Sequence, residues 1–309
     1  MTLSPFHPDE LEAQARAGKG AAGAGIRNFM PDQHREFFAL LPYLFVATAD
    51  AEGWPLATML AGAPGFVHSP DPTTLRVDAL PAADDPAAAA FAEGAELGLL
   101  GLDLATRRRN RANGRIAARD AAGFTLAVRQ SFGNCAKYIQ RRAVQPALPA
   151  PEGVHPLTGL DAAARALIEG ADTLFVASRS RPDVGDTGGV DVSHRGGRPG
   201  FVRIDGEALV VPDFAGNRYF NTLGNLLGEP RAALLFVDFA TGDLLQLQGR
   251  VTIDWDARLR SAGIERQWRF TVTRGWRRRA AIPLRWSFVD YSPATLGTEV
   301  PAPTPAALP

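Results

Sequence analysis

Apolar and polar positions along this chain fall into two kinds of run. Short apolar runs bounded by Gly, Pro, Asp and Asn predict β-strands, and a few runs with three-to-four spacing predict helices. The densest stretch runs from Asp191 to Phe239. Within it Gly200 to Ile204, Ala208 to Val211 and Ala232 to Phe239 read as strands rich in Val, Leu and Phe. Asp205-Gly206 separates the first two and supplies the positive φ of a tight hairpin turn. Asn217 to Leu227 fits a short helix stopped by Gly228 and Pro230.

Elsewhere the same pattern continues. Asp9 to Ala17 and Asp32 to Leu41 predict packing helices separated by a flexible break at Gly18 to Gly25. Leu44 to Thr48, Pro55 to Leu60, Glu96 to Leu104, Arg115 to Ala118 and Phe124 to Arg129 predict strands, with Arg107 to Arg115 as a basic turn. Gln145 to Pro156 carries Pro146, Pro149, Pro151 and Pro156 and reads as a linker. Asp161 caps a helix ending near Ile168, followed by the strand Thr173 to Ala177 and a Gly-, Asp- and Pro-rich loop, Ser178 to Val190. Leu244 to Trp255, Trp268 to Thr273 and Leu284 to Asp290 read as strands. Asp256 to Gly263 reads as a helical turn and Gly275 to Arg279 as a basic aromatic turn.

The chain repeats itself. Ala61 to Val67 reads AGAPGFV and Gly196 to Val202 reads GGRPGFV, an offset of 135. The same offset relates Asp103 to Asp238, Thr106 to Thr241, Gly114 to Gly249 and Arg115 to Arg250. Upstream, Leu44 to Ala47 matches Leu174 to Ala177 at an offset of 130, so the loop before Val190 is five residues longer in the second copy. Two copies make a tandem duplication rather than a solenoid. The expected organisation is an N-terminal helical segment (1–42), a first copy (43–144), the linker (145–156), a second copy (157–291) and a loose proline-rich tail (292–309).

Composition narrows the class. Hydrophobic residues make up 46% of the 309, enough for a sizeable core. Lys+Arg and Asp+Glu are both 33, and this neutral balance argues against a nucleic-acid partner held by counterion release. Cys135 is the sole cysteine, read as a small core side chain in a reducing compartment. The N-terminus lacks the pattern of a signal peptide and no long apolar run is present, so the expectation is a soluble cytoplasmic protein without a membrane partner. The five histidines do not pair at metal-ligand spacing, and the sequence contains neither a nucleophile elbow nor a P-loop.

The segments Asp191-Val-Ser-His-Arg-Gly-Gly-Arg-Pro-Gly-Phe201, Pro212-Asp213, Gly216-Asn217, Thr222-Leu-Gly-Asn-Leu226 and Leu234-Leu-Phe-Val-Asp-Phe239 stand in a particular order. In that order they resemble the FMN-binding split barrels of the pyridoxamine 5′-phosphate oxidase-like family. The segment Ser131-Phe-Gly-Asn-Cys135-Ala-Lys137 resembles the stretch after the barrel in single-copy members, with Ala136 where a proline is common. The resemblance implies a mainly β fold, two split barrels with peripheral helices, pairing inside one chain as a pseudo-dimer. It also implies FMN as cofactor, a small-molecule redox substrate, and NAD(P)H or a redox protein as electron donor. Flavin or heme binding without turnover is the other implied role, and a further homodimer is compatible with the fold.

On this resemblance the candidate cofactor residues are Ser193, Arg195, Gly196, Gly197, Arg198, Asn217, Arg218, Thr222 and Asn225 in the second copy, with Arg109 and Lys137 from the first as the opposite wall. Opposite Ser193, Arg195 and Arg198 the first copy has Thr58, Leu60 and Ala63; opposite Asn217 and Arg218 it has Ala82 and Ala83, followed by Asp84 and Asp85. A phosphate needs hydroxyls, guanidinium groups and free N–H groups, so the second copy reads as the phosphate holder and the first as a degenerate partner.

Overall fold

In a computed structural model that describes residues 4–255 and 263–298, the first copy's apolar runs become seven strands. These are β1 (Tyr43–Ala49), β2 (Pro55–Ala61), β3 (Val67–Asp71), β4 (Thr74–Val77), β5 (Glu96–Asp103), β6 (Arg108–Arg119) and β7 (Phe124–Gly133). They form one antiparallel sheet in the order β2-β1-β5-β6-β7-β4-β3. After β8 (Arg141–Pro146) and β9 (Val154–Leu157) the second copy supplies β10 (Thr173–Arg179), β11 (Val190–Gly196), β12 (Arg203–Asp205), β13 (Ala208–Phe214), β14 (Arg231–Val237), β15 (Leu244–Asp254) and β16 (Ile264–Arg278). Their order, β11-β10-β14-β15-β16-β13-β12, is the first copy's order strand for strand, with β9 added on β16.

Register repeats as faithfully as order. Phe45 pairs with Met59 and Leu100, and Phe175 pairs with His194 and Leu235. Each copy has a bulge at the matching glycine, Gly114 in β6 and Gly249 in β15. A Cβ there would lie 2.0 Å from Ala127 O in the first copy and 2.3 Å from Thr271 O in the second, so only glycine fits beside the bulge.

Apolar side chains form a core inside each copy and a third between the copies. At the centre of the third, the repeat-related rings of Phe45 and Phe175 stack with centroids 3.6 Å apart. Equivalent residues touching each other mark a pseudo-twofold axis. Nearby, β8 pairs antiparallel with β17 (Leu284–Asp290), from Arg141 opposite Asp290 to Pro146 opposite Leu284. Both strands end their own copies, so each copy's terminal strand is hydrogen-bonded to the other's.

Helices sit at the periphery: α1 (Pro8–Arg16), α2 (Asp32–Ala39), α3 (Ala162–Gly170), α4 (Asn221–Gly228) and α5 (Pro293–Leu296). Asp161 caps α3 as expected, its carboxylate accepting the Ala164 N–H at 2.8 Å. A Cβ on Gly224 of α4 would lie 2.5 Å from the Glu10 Cα, so α1 and α4 approach at backbone distance.

Several elements differ from expectation. The Arg107 to Arg115 run is not a turn: all but its first residue lie in β6, hydrogen-bonded to β5 and β7, and the turn falls at Arg107 with φ 60°. Gly275 to Arg278 likewise belong to β16, held between β15 and β9. Gly200, with φ 84°, sits in a turn, and the strand expected there starts only at Arg203. The helix expected from Asn217 begins at Asn221, because Arg218 and Phe220 take left-handed backbone conformations. Residues 292–298 of the expected loose tail are packed, with buried Thr295 accepting from Gln140 Nε2 at 3.1 Å. The remainder of that tail, and residues 256–262 of the expected helical turn, lie outside the described residues. Among the described residues no helix is long and apolar enough to cross a membrane.

Candidate functional site

A cleft lies where the end of β11, the loop from β13 into α4, and the first copy's β6 and post-β7 segment converge. Strand alternation sends Asp191, Ser193 and Arg195 of β11 to one face, and the repeat of the barrel brings β6 of the other copy up to meet them. Arg111 donates through Nη1 to Asp191 Oδ2 at 2.9 Å and through Nη2 to Ser193 Oγ. Thr222, in the first turn of α4, donates its hydroxyl to Ser193 Oγ at 2.7 Å. The Ser193 hydroxyl, the Arg111 guanidinium and the start of a helix therefore meet at one point, which is the chemistry that recognises a phosphate.

Around this point the side chains are held by one another. Asp213 takes both Arg195 and Arg266, the latter at 2.9 Å. Asn217 donates to Asn134 Oδ1 of the first copy at 2.9 Å. Arg109 donates from Nε to the Cys135 carbonyl at 2.9 Å and lies 3.4 Å from His194 Nδ1. Tyr138 stacks on Phe214 with centroids 5.1 Å apart, forming a flat apolar flank. Strained backbone concentrates here: Tyr138, Arg218 and Phe220 all have φ between 61° and 64°.

Charge in the cleft is strongly positive. Arg109, Arg111, Lys137, Arg195, Arg218 and Arg266 line it, against Asp213 and Glu265. Neither Lys137 nor Arg218 has an ion-pair or hydrogen-bond partner among the described residues. Burial pushes the Arg109 guanidinium down to about 10, which leaves it protonated at neutral pH. Burial, then the fields of Arg109 and Arg195, hold the His194 imidazole well below its usual range, so it is neutral. Buried polar atoms without a partner cluster at the same place: Nε of Arg111, Nε of Arg195, Nδ2 of Asn134 and Nε2 of His194. These atoms are donors, with His194 in the tautomer that accepts the Arg109 N–H at Nδ1. A buried donor surplus of this kind calls for acceptor atoms from a ligand.

Of the residues expected from the sequence, the structure brings Ser193, Arg195, Gly196, Asn217, Arg218, Thr222, Arg109 and Lys137 together at the cleft. It places three others elsewhere. Gly197 is tied to Asp172 O and Gln140 through its backbone, because β11 ends at Gly196 and the chain turns away. The Arg198 guanidinium lies 5.8 Å from the Tyr291 ring centroid. Asn225 points to the far side of α4, where it donates to Ser178 Oγ at 3.0 Å and accepts from His7 Nε2 at 2.8 Å. Cys135 is only half-buried and lines the cleft instead of the core.

Sequence reasoning missed Arg111, Asn134, Tyr138 and His194. Arg109, Arg111 and Asn113 at every second position would have pointed to one strand face had the basic run been read as a strand. The contact of α1 with the start of α4 was also missed. Glu10 of α1 accepts from Asn221 at 2.5 Å, and burial pushes its carboxyl up to about 8. Lys19 pairs with Glu265 at the cleft rim.

No protein-family model matches the sequence, and no curated protein matches it. Among solved structures the chain is similar to a FAD-binding protein from Mesorhizobium loti, at 11% identity over 41% of this chain and 97% of that one, with a TM-score of 0.27. It is also similar to a protein related to general stress protein 26 of B. subtilis (pyridoxinephosphate oxidase family) from Clostridium acetobutylicum, at 14% identity, 41% and 92% coverage and a TM-score of 0.29. A third is the heme storage protein HutZ from Vibrio cholerae, at 11% identity, 38% and 94% coverage and a TM-score of 0.26. By its own strand order and internal repeat, this chain is a tandem pair of split barrels.

Proposed function

We propose that the cleft between the copies binds FMN and that the protein is an FMN-dependent oxidoreductase acting on a small molecule. The observation that carries this reading is the convergence, at one inter-copy cleft, of unpartnered buried donors with the Ser193–Arg111–Thr222 cluster. Ser193, Thr222, Arg111 and Asn134 would hold the phosphate. Arg195, Asn217 and His194 would meet further acceptor atoms, and the Tyr138–Phe214 flank would cover part of the apolar ring system. Bound FMN supplies reversible two-electron chemistry, and the protein binds and orients it. The neutral His194 keeps an N–H available without adding charge, and the surplus of Lys137 and Arg218 favours an electron-rich ligand.

Titrating the purified full chain with FMN, and then adding NAD(P)H or a reduced redox protein, tests this function. Uptake followed by bleaching and reoxidation with turnover supports an enzyme. Uptake without reduction by any donor leaves a flavin carrier, and a Soret band in place of flavin bands replaces the reading with heme carriage.

A further inference from the structure

The pseudo-twofold axis generates a second cleft-like position, built from β2 of the first copy and β15 and β16 of the second. Thr58 takes the place of Ser193: it pairs with Val46 as Ser193 pairs with Val176. Gln246 takes the place of Arg111: it pairs with Leu235 as Arg111 pairs with Leu100. Arg278 takes the place of Asn134, each following the residue opposite the matching position of the neighbouring strand, Arg277 on Leu245 and Gly133 on Asn110.

At the centre of these three groups lies the Asp85 carboxylate. It accepts from Thr58 Oγ1 at 2.5 Å, from Arg278 Nη1 at 2.6 Å, from Gln246 Nε2 at 3.1 Å and from the Ala87 N–H at 2.9 Å. The Asp85 side chain is 1% exposed and the Arg278 side chain 6%. In the second copy the corresponding hydroxyl, guanidinium and amide line the open cleft; Asp191 of β11 itself accepts from Arg111 Nη1 at 2.9 Å, but Phe220 stands at the position equivalent to Asp85, and that segment sends no carboxylate in. We propose that the first copy retains an anion site that the chain fills with its own Asp85 carboxylate, which stands where the other site takes a ligand's anion. The pseudo-dimer then has one ligand site instead of two, and the anion of the open site sits among Ser193, Arg111 and Asn134. Internal symmetry carries this assignment, whichever cofactor the open cleft takes.

If Asp85 substitutes for a bound anion, a free small anion should replace it once it is removed. Asp84, 3.4 Å from Arg278 Nη2, is first neutralised by Asp84→Asn so that it cannot take over. In that background Asp85→Gly should lower Tm by about 10 °C, as expected when one partner of a buried ion pair is lost. Formate or inorganic phosphate should restore most of that loss, and chloride at equal ionic strength should not. The Asp84→Asn parent should show no formate-specific gain. Equal responses to formate, phosphate and chloride would overturn the proposal. Should Asp85→Gly fail to fold alone, expression and refolding with formate should recover it. Failure even then, beside a well-folded Asp85→Asn/Arg278→Met chain, would also overturn it, because the position would tolerate neutralisation yet bind no anion.

Discussion

Two residues at matching positions in the repeat illustrate how differently the copies are used. Arg195 borders the cleft and holds Asp213, whereas its counterpart Leu60 is buried in the first copy's core. Arg195→Ala should weaken FMN binding by roughly 1–3 kcal/mol, the loss expected for a charge-assisted hydrogen bond. Leu60→Ala should instead cost about 2–5 kcal/mol of stability and leave binding nearly unchanged. Isothermal titration and thermal melts on both variants check this, and equal losses of affinity with intact stability would refute the assignment. Glu10 gives a second residue-scale test. Its carboxyl is pushed up to about 8, chiefly by burial, while an unfolded glutamate titrates near 4.3. The stability that its retained proton contributes is fully present below the unfolded value and is lost as pH rises through 8. His7 and His194 are shifted downward, so their contributions fade in the opposite direction, as pH falls below about 6.5. Between pH 7 and 8 the wild-type Tm should therefore fall, and Glu10→Gln should flatten that slope; parallel slopes would contradict it. Ser193, Arg195, Asn217, Arg218 and Thr222 were legible because they sit in an ordered motif. Arg111 was not, because its partner Asp191 is 80 positions away and only the pairing of copies brings them together.

At the scale of elements, the strands that were read correctly are those with dense Val, Leu and Phe, such as β1, β5, β10 and β14. The ones misread, β6 and the end of β16, are rich in Arg and Gly, residues whose own preference for strands is weak. They are extended because both neighbours supply ladder hydrogen bonds, an influence that local pattern does not contain. The placement of α1 was likewise invisible: nothing in Pro8–Arg16 announces that it crosses α4, and the clue is Gly224 on the partner helix. Gly224→Ala would put a methyl carbon 2.5 Å from the Glu10 Cα, so α1 should be driven off at a cost of roughly 1–3 kcal/mol. Hydrogen exchange should show lost protection over Pro8–Arg16 while β10, β14 and β15 stay protected. Unchanged exchange in α1 would mean that its docking does not depend on that approach.

For the whole molecule, the duplication was legible as a constant offset, and the pseudo-dimer was an expectation of the resemblance. What only the structure supplies is the way the copies are joined: the Phe45–Phe175 stack, the β8–β17 pair and a shared apolar core. Residues 157–309 expressed alone would expose Phe175, Val192, Leu235 and Trp286, an apolar patch that a soluble monomer rarely tolerates. They should aggregate or form an artificial homodimer, bind FMN weakly and recover binding when residues 1–150 are added. A stable monomer with full affinity would remove the interface from the account. The central claim is a single flavin site made by both copies, and the most direct test is an FMN titration of the purified full-length protein followed by its absorption spectrum. Flavin bands and saturation at about one equivalent per chain are expected; a colourless protein that ignores FMN, or saturation at about two equivalents, would contradict a single shared site.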